Sequence, residues 1–402
     1  MITSILPSLL AALPLFSIHN VGDLIHVPGD HPTIAEAVAA ATGGETILIE
    51  AGTYTESDIM PGVPDLTIKG AVDSDGFPAV TLDGEGSADL LIGIGVVGSN
   101  GMTIENIRFT GSLGSPLWIY VSDPVIRNCE FSNNPGSNHP AGAAAVWVSK
   151  SEARFESCRF LDNGNDEEVN IIHVKGVTGG LAGEEYGSTT FVGCAFEGNE
   201  AENLAISRFW NTNFEQCAFL NNNTTNVLGL DTFTLTENLF CNNTGTPVLF
   251  PDGWTDGGGN QFVDQCPSEC QATSYCGTSP NTAGSGVQIS MSGITSISLN
   301  SFGLDATGGP SNQAGLFFHG AGTTNQPFGE GVRCVATPIT RVAPPIFFNS
   351  LGTASKQLNM SANALASIQP ADTRYFQLWY RDPAGGPFGY NMSNGLEITF
   401  CP

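Results

Sequence analysis

From residue 100 to 245 the chain alternates apolar and polar positions over short stretches, each broken by Gly, Asn or Pro. Period-two alternation of that length predicts half-buried β-strands, and no segment between them has helical periodicity. One phrase recurs: apolar–x–x–Cys–x–Phe–x–x–Asn. It reads VIRNCEFSNN from Val125, RFESCRFLDN from Arg154, TFVGCAFEGN from Thr190 and NFEQCAFLNN from Asn213. TLTENLFCNN from Thr234 continues it without the Cys step, and MTIENIRFTG from Met102 is a degenerate earlier copy. The phenylalanines fall at 109, 131, 160, 196, 219 and 240, at spacings of 22, 29, 36, 23 and 21. A period of about 22 with two inserted copies predicts a β-solenoid, whose coils bury their apolar faces only by stacking.

Stacked coils place equivalent side chains in columns about 4.8 Å apart. The phenylalanines are expected to form an internal aromatic file. Asn134, Asn163, Asn199, Asn222 and Asn243 should form a file at a turn, in the left-handed conformation that Asn tolerates. Cys129, Cys158, Cys194 and Cys217 should form a third file of small, reduced, buried thiols. Near the start, Thr33 and Glu36 make a capping box after Pro32. The predicted short helix ends at Gly43–Gly44 and is followed by the strand Glu45–Glu50 and a tight turn at Gly52–Tyr54. Such a helix suits the open end of a solenoid, which stacking cannot cover.

These residues carry a resemblance. The stretch PTIAEAVAAATGGETILIEAGTYTE resembles the N-terminal cap and first coil of the pectin-lyase-like right-handed parallel β-helix superfamily. The later Cys–x–Phe–x–x–Asn coils are similar to its generic repeats, and the likeness covers about residues 24–266. It implies an all-β fold and leaves the activity open, since that superfamily holds lyases, hydrolases, esterases, adhesins and non-enzymes.

Beyond the repeat, residues 267–285 are rich in Cys, Ser, Thr, Pro and Gly and read as a linker. The alternation of VQISM, SISLNSFGL, QAGLFFHG, YFQLWYRD and LEITF then predicts an antiparallel β-sandwich over 286–402. Its phrases PNTAGSG, QPFGEGVRCV, RYFQLWYRDP and GYNMSNGLEITF resemble a C-terminal module of large secreted bacterial proteins. Trp379, Tyr380 and Arg381 are read there as core and turn residues. The expected organisation is a signal peptide at 1–20, carried by the apolar run Ile5–Phe16, then a β-helix at 21–266, the linker and the sandwich. Six cysteines from Cys241 onward allow fifteen pairings, of which 241–266, 270–276 and 334–401 are favoured. Secretion to the exterior or cell surface is the matching expectation.

Charge narrows the partners. Lys plus Arg number 13 against 39 Asp plus Glu, a formal net charge of −26. That excludes broad contact with nucleic-acid phosphates or anionic membranes. No run is long enough to span a bilayer. An anionic polysaccharide needs calcium or a local cationic patch to bind such a chain.

Candidate chemistry lies on the strand preceding each repeat. Alternation puts Ile119/Val121, Val146/Val148, Ile172/Val174 and Leu204/Ile206 inside. Tyr120, Trp147 and His173 then form an outward column suited to stacking sugars, with Ser122, Ser149, Lys175, Ser207 and Asp231 beside it and Arg208 next to them. The insertion Gly176–Ser188 is the alternative cover for this sheet. A lyase here would take His173 or Lys175 as base and Arg208 or calcium to neutralise a uronate carboxylate. The Arg motifs and calcium-binding Asp clusters of pectate lyases are not recognisable, nor are the paired aspartates of the esterases and hydrolases. Asp256, in PDGWTDGGG, reads as a turn. No cofactor is evident. Asp73, Asp75, Asp83 and Glu85 form an acidic loop of calcium-binding character without EF-hand spacing. The leading expectation is therefore a secreted carbohydrate-binding surface protein with a polysaccharide or cell-surface glycan as partner. A polysaccharide lyase or hydrolase on the outer face is the alternative, and a structural spacer or filament subunit the second. The oligomeric state is left open.

Overall fold

The computed structural model describes residues 23–73, 76–95, 100–136, 143–165, 169–176, 188–208, 210–229, 233–248, 254–264, 272–292, 295–297, 302–360, 364–369 and 371–400. Three parallel sheets run along the first part of the chain, each drawing one strand per coil. A ten-stranded sheet runs from Leu24–Val27 to Trp254–Asp256, and a nine-stranded sheet from Gly52–Tyr54 to Gln261–Val263. The third, seven-stranded, runs from Ile92–Gly95 to Thr244–Val248. This is the expected parallel β-helix. Gly52–Tyr54 is a strand paired with Val80–Leu82, not the expected turn.

The files follow the repeat. Phe109, Phe131, Phe160, Phe196, Phe219 and Phe240 stack with ring centroids 4.3–5.0 Å apart, and Phe262 extends the file. The apolar position three residues before each Cys supplies a second file, Phe155, Phe191 and Phe214, which meets the first edge to face. The asparagine file is a hydrogen-bonded ladder. Each Nδ2 from Asn134 to Asn222 donates to the next Oδ1 at 2.8–3.1 Å. Each also donates to the carbonyl of a phenylalanine in the coil before. The left-handed residue is not the ladder Asn but its predecessor: Asn133, Asp162, Gly198, Asn221 and Asn242 all have positive φ. The backbone turns there, which leaves the next side chain free to point inward and bond along the axis. Cys129, Cys158, Cys194 and Cys217 are free and buried, as expected. Burial pushes the thiols of Cys129, Cys158 and Cys194 well above the ordinary range.

Helix Ile34–Ala40 caps the first coil with Ile34, Ala37 and Val38 buried. Thr33 accepts the Glu36 N–H at 3.1 Å, while the carboxylate of Glu56 takes the Ile34 and Ala35 N–H groups. A distant residue thus completes the cap.

The C-terminal region packs a five-stranded antiparallel sheet on a three-stranded one around Phe302, Phe317, Phe376, Leu378 and Tyr380. The stretch expected as a linker contains the strand Ala272–Tyr275, which joins the five-stranded sheet beside Tyr390–Thr399. Cys276 is bonded to Cys334, which overturns both 270–276 and 334–401. The antiparallel sheet brings Cys276 to the hairpin strand Gly331–Val335, a contact that spacing along the chain does not disclose. Cys241 is also disulfide-bonded, and Cys266, Cys270 and Cys401 lie outside the described residues. The expected signal segment lies outside them too. No helix among the described residues is long and apolar enough to cross a membrane.

Candidate functional site on the seven-stranded sheet

The register of the seven-stranded sheet defines two outward columns. Trp118, Trp147, His173 and Ile206 are aligned in the first. Tyr120, Ser149, Lys175 and Arg208 are aligned in the second. The aromatic partner of Trp147 is therefore Trp118, not Tyr120. Leu117 and Ile119 fill the interior in that coil, whereas Val121 sits at the strand end with φ 51° and is 46% exposed. The expected alignment was displaced by two residues, which preserves alternation and so leaves no trace in the pattern. Ser122 is buried, its N–H donating to Ser151 Oγ, instead of lying beside the column.

A second correction falls at Glu200–Arg208. Ala205 and Ser207 pair with the interior residues Ile172 and Val174, so Ile206 stands in the outward column and Ser207 is buried. Ile171 and Ile172 are both in the core, as are Leu204 and Ala205. With two adjacent residues buried in each strand, strict alternation does not say which of them continues the interior column.

The columns close along the axis. Trp118 is 41% exposed and Trp147 half-buried, with ring centroids 5.1 Å apart, while His173 is only 6% exposed. Tyr120 is half-buried under the Lys150 ammonium, 5.7 Å from its ring centroid. Ser149 is buried and Lys175 exposed. Arg208 lies level with Lys175, but its side chain, Asp231 and residues 177–187 of the insertion fall outside the described residues.

The electrostatics single out this face. Lys69, Arg108, Arg127, Arg154 and Arg159 of the solenoid each pair with Glu105, Glu130 or Glu156. Lys150 and Lys175 have no acidic partner among the described residues. Lys150 lies over Tyr120 and Lys175 is level with Ser149, both at the column next to the tryptophans, a cationic margin that the net charge of the chain conceals. Trp118 and Lys150 were missed as site residues. Their signal was present in the sequence, but only the coil register brings them together.

Elsewhere, Asp73 accepts the Phe77 N–H and Asp83 the Glu85 N–H, so both carboxylates close local turns. Asp75 lies outside the described residues, among which no group of three His, Cys, Asp or Glu converges as a metal site. Asp256 accepts from the Gly258 N–H and from Asn260, the turn expected of it. Neither outward column carries a carboxylate at the aligned positions.

The three parallel sheets define a parallel β-helix. The chain belongs to the family described as right handed beta helix region, whose match covers residues 92–302. Its fold is similar to that of pectin methylesterase from Aspergillus niger, at 17% identity over 62% of this chain and 85% of that one, with a TM-score of 0.35. Pectate lyase Pel9A is similar at 12% identity, 62% and 82% coverage and a TM-score of 0.38. WceF of Pantoea stewartii, a glycan biofilm modifying enzyme, is similar at 10% identity, 88% and 54% coverage and a TM-score of 0.27. No curated protein matches the chain.

Proposed function

We propose that the protein is a carbohydrate-binding protein working outside the cell, and that it holds an acidic glycan along the outer face of the seven-stranded sheet. One observation carries the reading: the Trp118–Trp147 pair runs beside a column bearing Lys175 and Tyr120 with Lys150 over its ring, and these two lysines have no acidic partner among the described residues, whereas the other described cations of the solenoid do. Indole rings offer sugars flat apolar faces, and ammonium groups beside them meet carboxylates or sulfates. Two coil rises, about 10 Å, separate Trp118 from the level of Lys175, enough for neighbouring sugar units to engage both. The Cys276–Cys334 bond and the disulfide at Cys241 support an oxidising compartment.

Binding of the full chain to acidic and neutral polysaccharides, at low and raised salt, tests this. Trp118→Ala should weaken binding about tenfold, the scale of one stacking contact of about 1.4 kcal/mol. Lys175→Gln should weaken acidic glycans only and flatten their salt dependence. Undiminished binding by Trp118→Ala rejects the site. Release of unsaturated uronates by the wild type, lost in Lys175→Gln, would instead make this face catalytic.

A further inference from the structure

The five-stranded sheet of the C-terminal region has a second face. Phe317, Phe376, Leu378 and Tyr380 point into the sandwich core. The alternate positions Leu316, Trp379 and Met392 lie side by side across three strands, and Phe318 and Arg341 lie opposite one another. This second face is covered by the hairpin Thr323–Phe328 and Gly331–Val335. Between hairpin and sheet is a cavity of about 270 Å³, lined by Leu316, Phe318, Phe328, Trp379, Arg333 and Arg341 among others.

Its charge is unmet. Arg333 donates to the neutral Gln326 and lies 6.0 Å from the Phe328 ring centroid, while its buried Nε–H has no partner. Arg341 is exposed, with no acidic partner among the described residues. In contrast, Arg374 of the same sheet is paired with Asp372. Two guanidinium groups at the rim of an apolar cavity, in a chain of net charge −26, are complementary to an anion. Apolar walls lower the local dielectric and strengthen such a pair. The same walls disfavour a sugar, whose hydroxyls would be buried without partners. The volume, near the lower end of the range for ligand sites, admits one ring-sized body.

We propose that this cavity binds a small organic carboxylate with an apolar body. Arg333 and Arg341 take the carboxylate, and Trp379, Phe318 and Leu316 take the body. The site is independent of the glycan face. Calorimetric titration of the full chain with phenylacetate and 4-phenylbutyrate should show binding, and 2-phenylethanol and glucuronate should bind at least tenfold more weakly. Arg341→Gln changes an exposed residue and should weaken the carboxylates about ten- to a hundredfold with the fold intact. Trp118→Ala should leave them unchanged. Silence with both aryl carboxylates, equal affinity for 2-phenylethanol, tighter binding of glucuronate, or an unaffected Arg341→Gln would each overturn the proposal.

Discussion

Removing one rung of the asparagine ladder tests how the solenoid is held together. Asn163 Nδ2 donates to the Phe131 carbonyl at 2.7 Å and to Asn199 Oδ1 at 3.1 Å. Its Oδ1 accepts from the backbone N–H and the Nδ2 of Asn134 at 3.2 and 2.9 Å. Asn163→Ala leaves the Phe131 carbonyl and both Asn134 donors without these partners, in a site closed to water. Asn199 Oδ1 is spared, because it still accepts the residue-163 N–H. Each buried group left unmade costs about 1–3 kcal/mol, so three of them imply a loss of about 3–6 kcal/mol after partial relaxation. That is a large part of an ordinary domain's stability of about 5–15 kcal/mol. Asn223→Ala is the control: this exposed side chain reaches Glu200 only at 3.4 Å, and its Oδ1 accepts from Thr244 Oγ1 at 2.8 Å, where water can replace it. Its effect should stay within about 0.5 kcal/mol. Urea unfolding followed by far-ultraviolet circular dichroism and by fluorescence of the four solenoid tryptophans would measure both. If Asn163→Ala costs no more than Asn223→Ala, the ladder is a consequence of coil stacking and not a cause of its stability.

Two further outcomes follow from charge and covalent structure. Burial raises the Glu197 carboxyl above the ordinary range, with the Arg159 guanidinium only partly opposing it, so the folded state holds this proton more tightly than the unfolded chain. Stability from this group is fully present below the unfolded carboxyl pKa of about 4.3 and falls as pH rises through the folded-state value. Glu197→Gln should therefore be neutral or stabilising at pH 7 in urea melts and lose any advantage near pH 4; a variant destabilised at pH 7 would show that the Arg159 attraction dominates. The Cys276–Cys334 bond spans 58 residues, for which chain entropy alone predicts about 4 kcal/mol. Dithiothreitol should lower the sandwich transition accordingly, and Cys276→Ser with Cys334→Ser should abolish that response; an unchanged melt on reduction would refute it.

The internal columns were legible because every coil repeats them. Phe131, Phe160 and Phe196 lie at a fixed offset from Cys and Asn, and a side chain that must stack on its own kind cannot drift. The outward face lacks that discipline. Trp118, Trp147, His173 and Ile206 share a column but no residue type, so nothing in their identity corrects a shift of two. The insertions raise the repeat spacing from about 22 to 29 and 36 in these same coils, which removes even the count as a guide. The disulfide at Cys276 was illegible for a related reason: its partner lies on the separate hairpin Thr323–Phe328/Gly331–Val335, and the contact between that hairpin and the strand before Cys276 is tertiary, which no repeat records.

The same contrast gives the site its chemistry. A coil must keep its interior Phe, Asn and small residues to stack, so variation is tolerated only on the outer faces and in the turns. Along the ten- and nine-stranded sheets that outer surface is spent on ion pairs linking neighbouring coils, from Lys69–Glu105 to Arg159–Glu130. The seven-stranded sheet has at matching levels two indoles, a phenol and lysines that pair with no acid among the described residues. Neutralising neighbours would stabilise the solenoid there as they do elsewhere, by up to about 1 kcal/mol per exposed pair. The lack of such neighbours among the described residues is what singles out this face as the proposed binding surface.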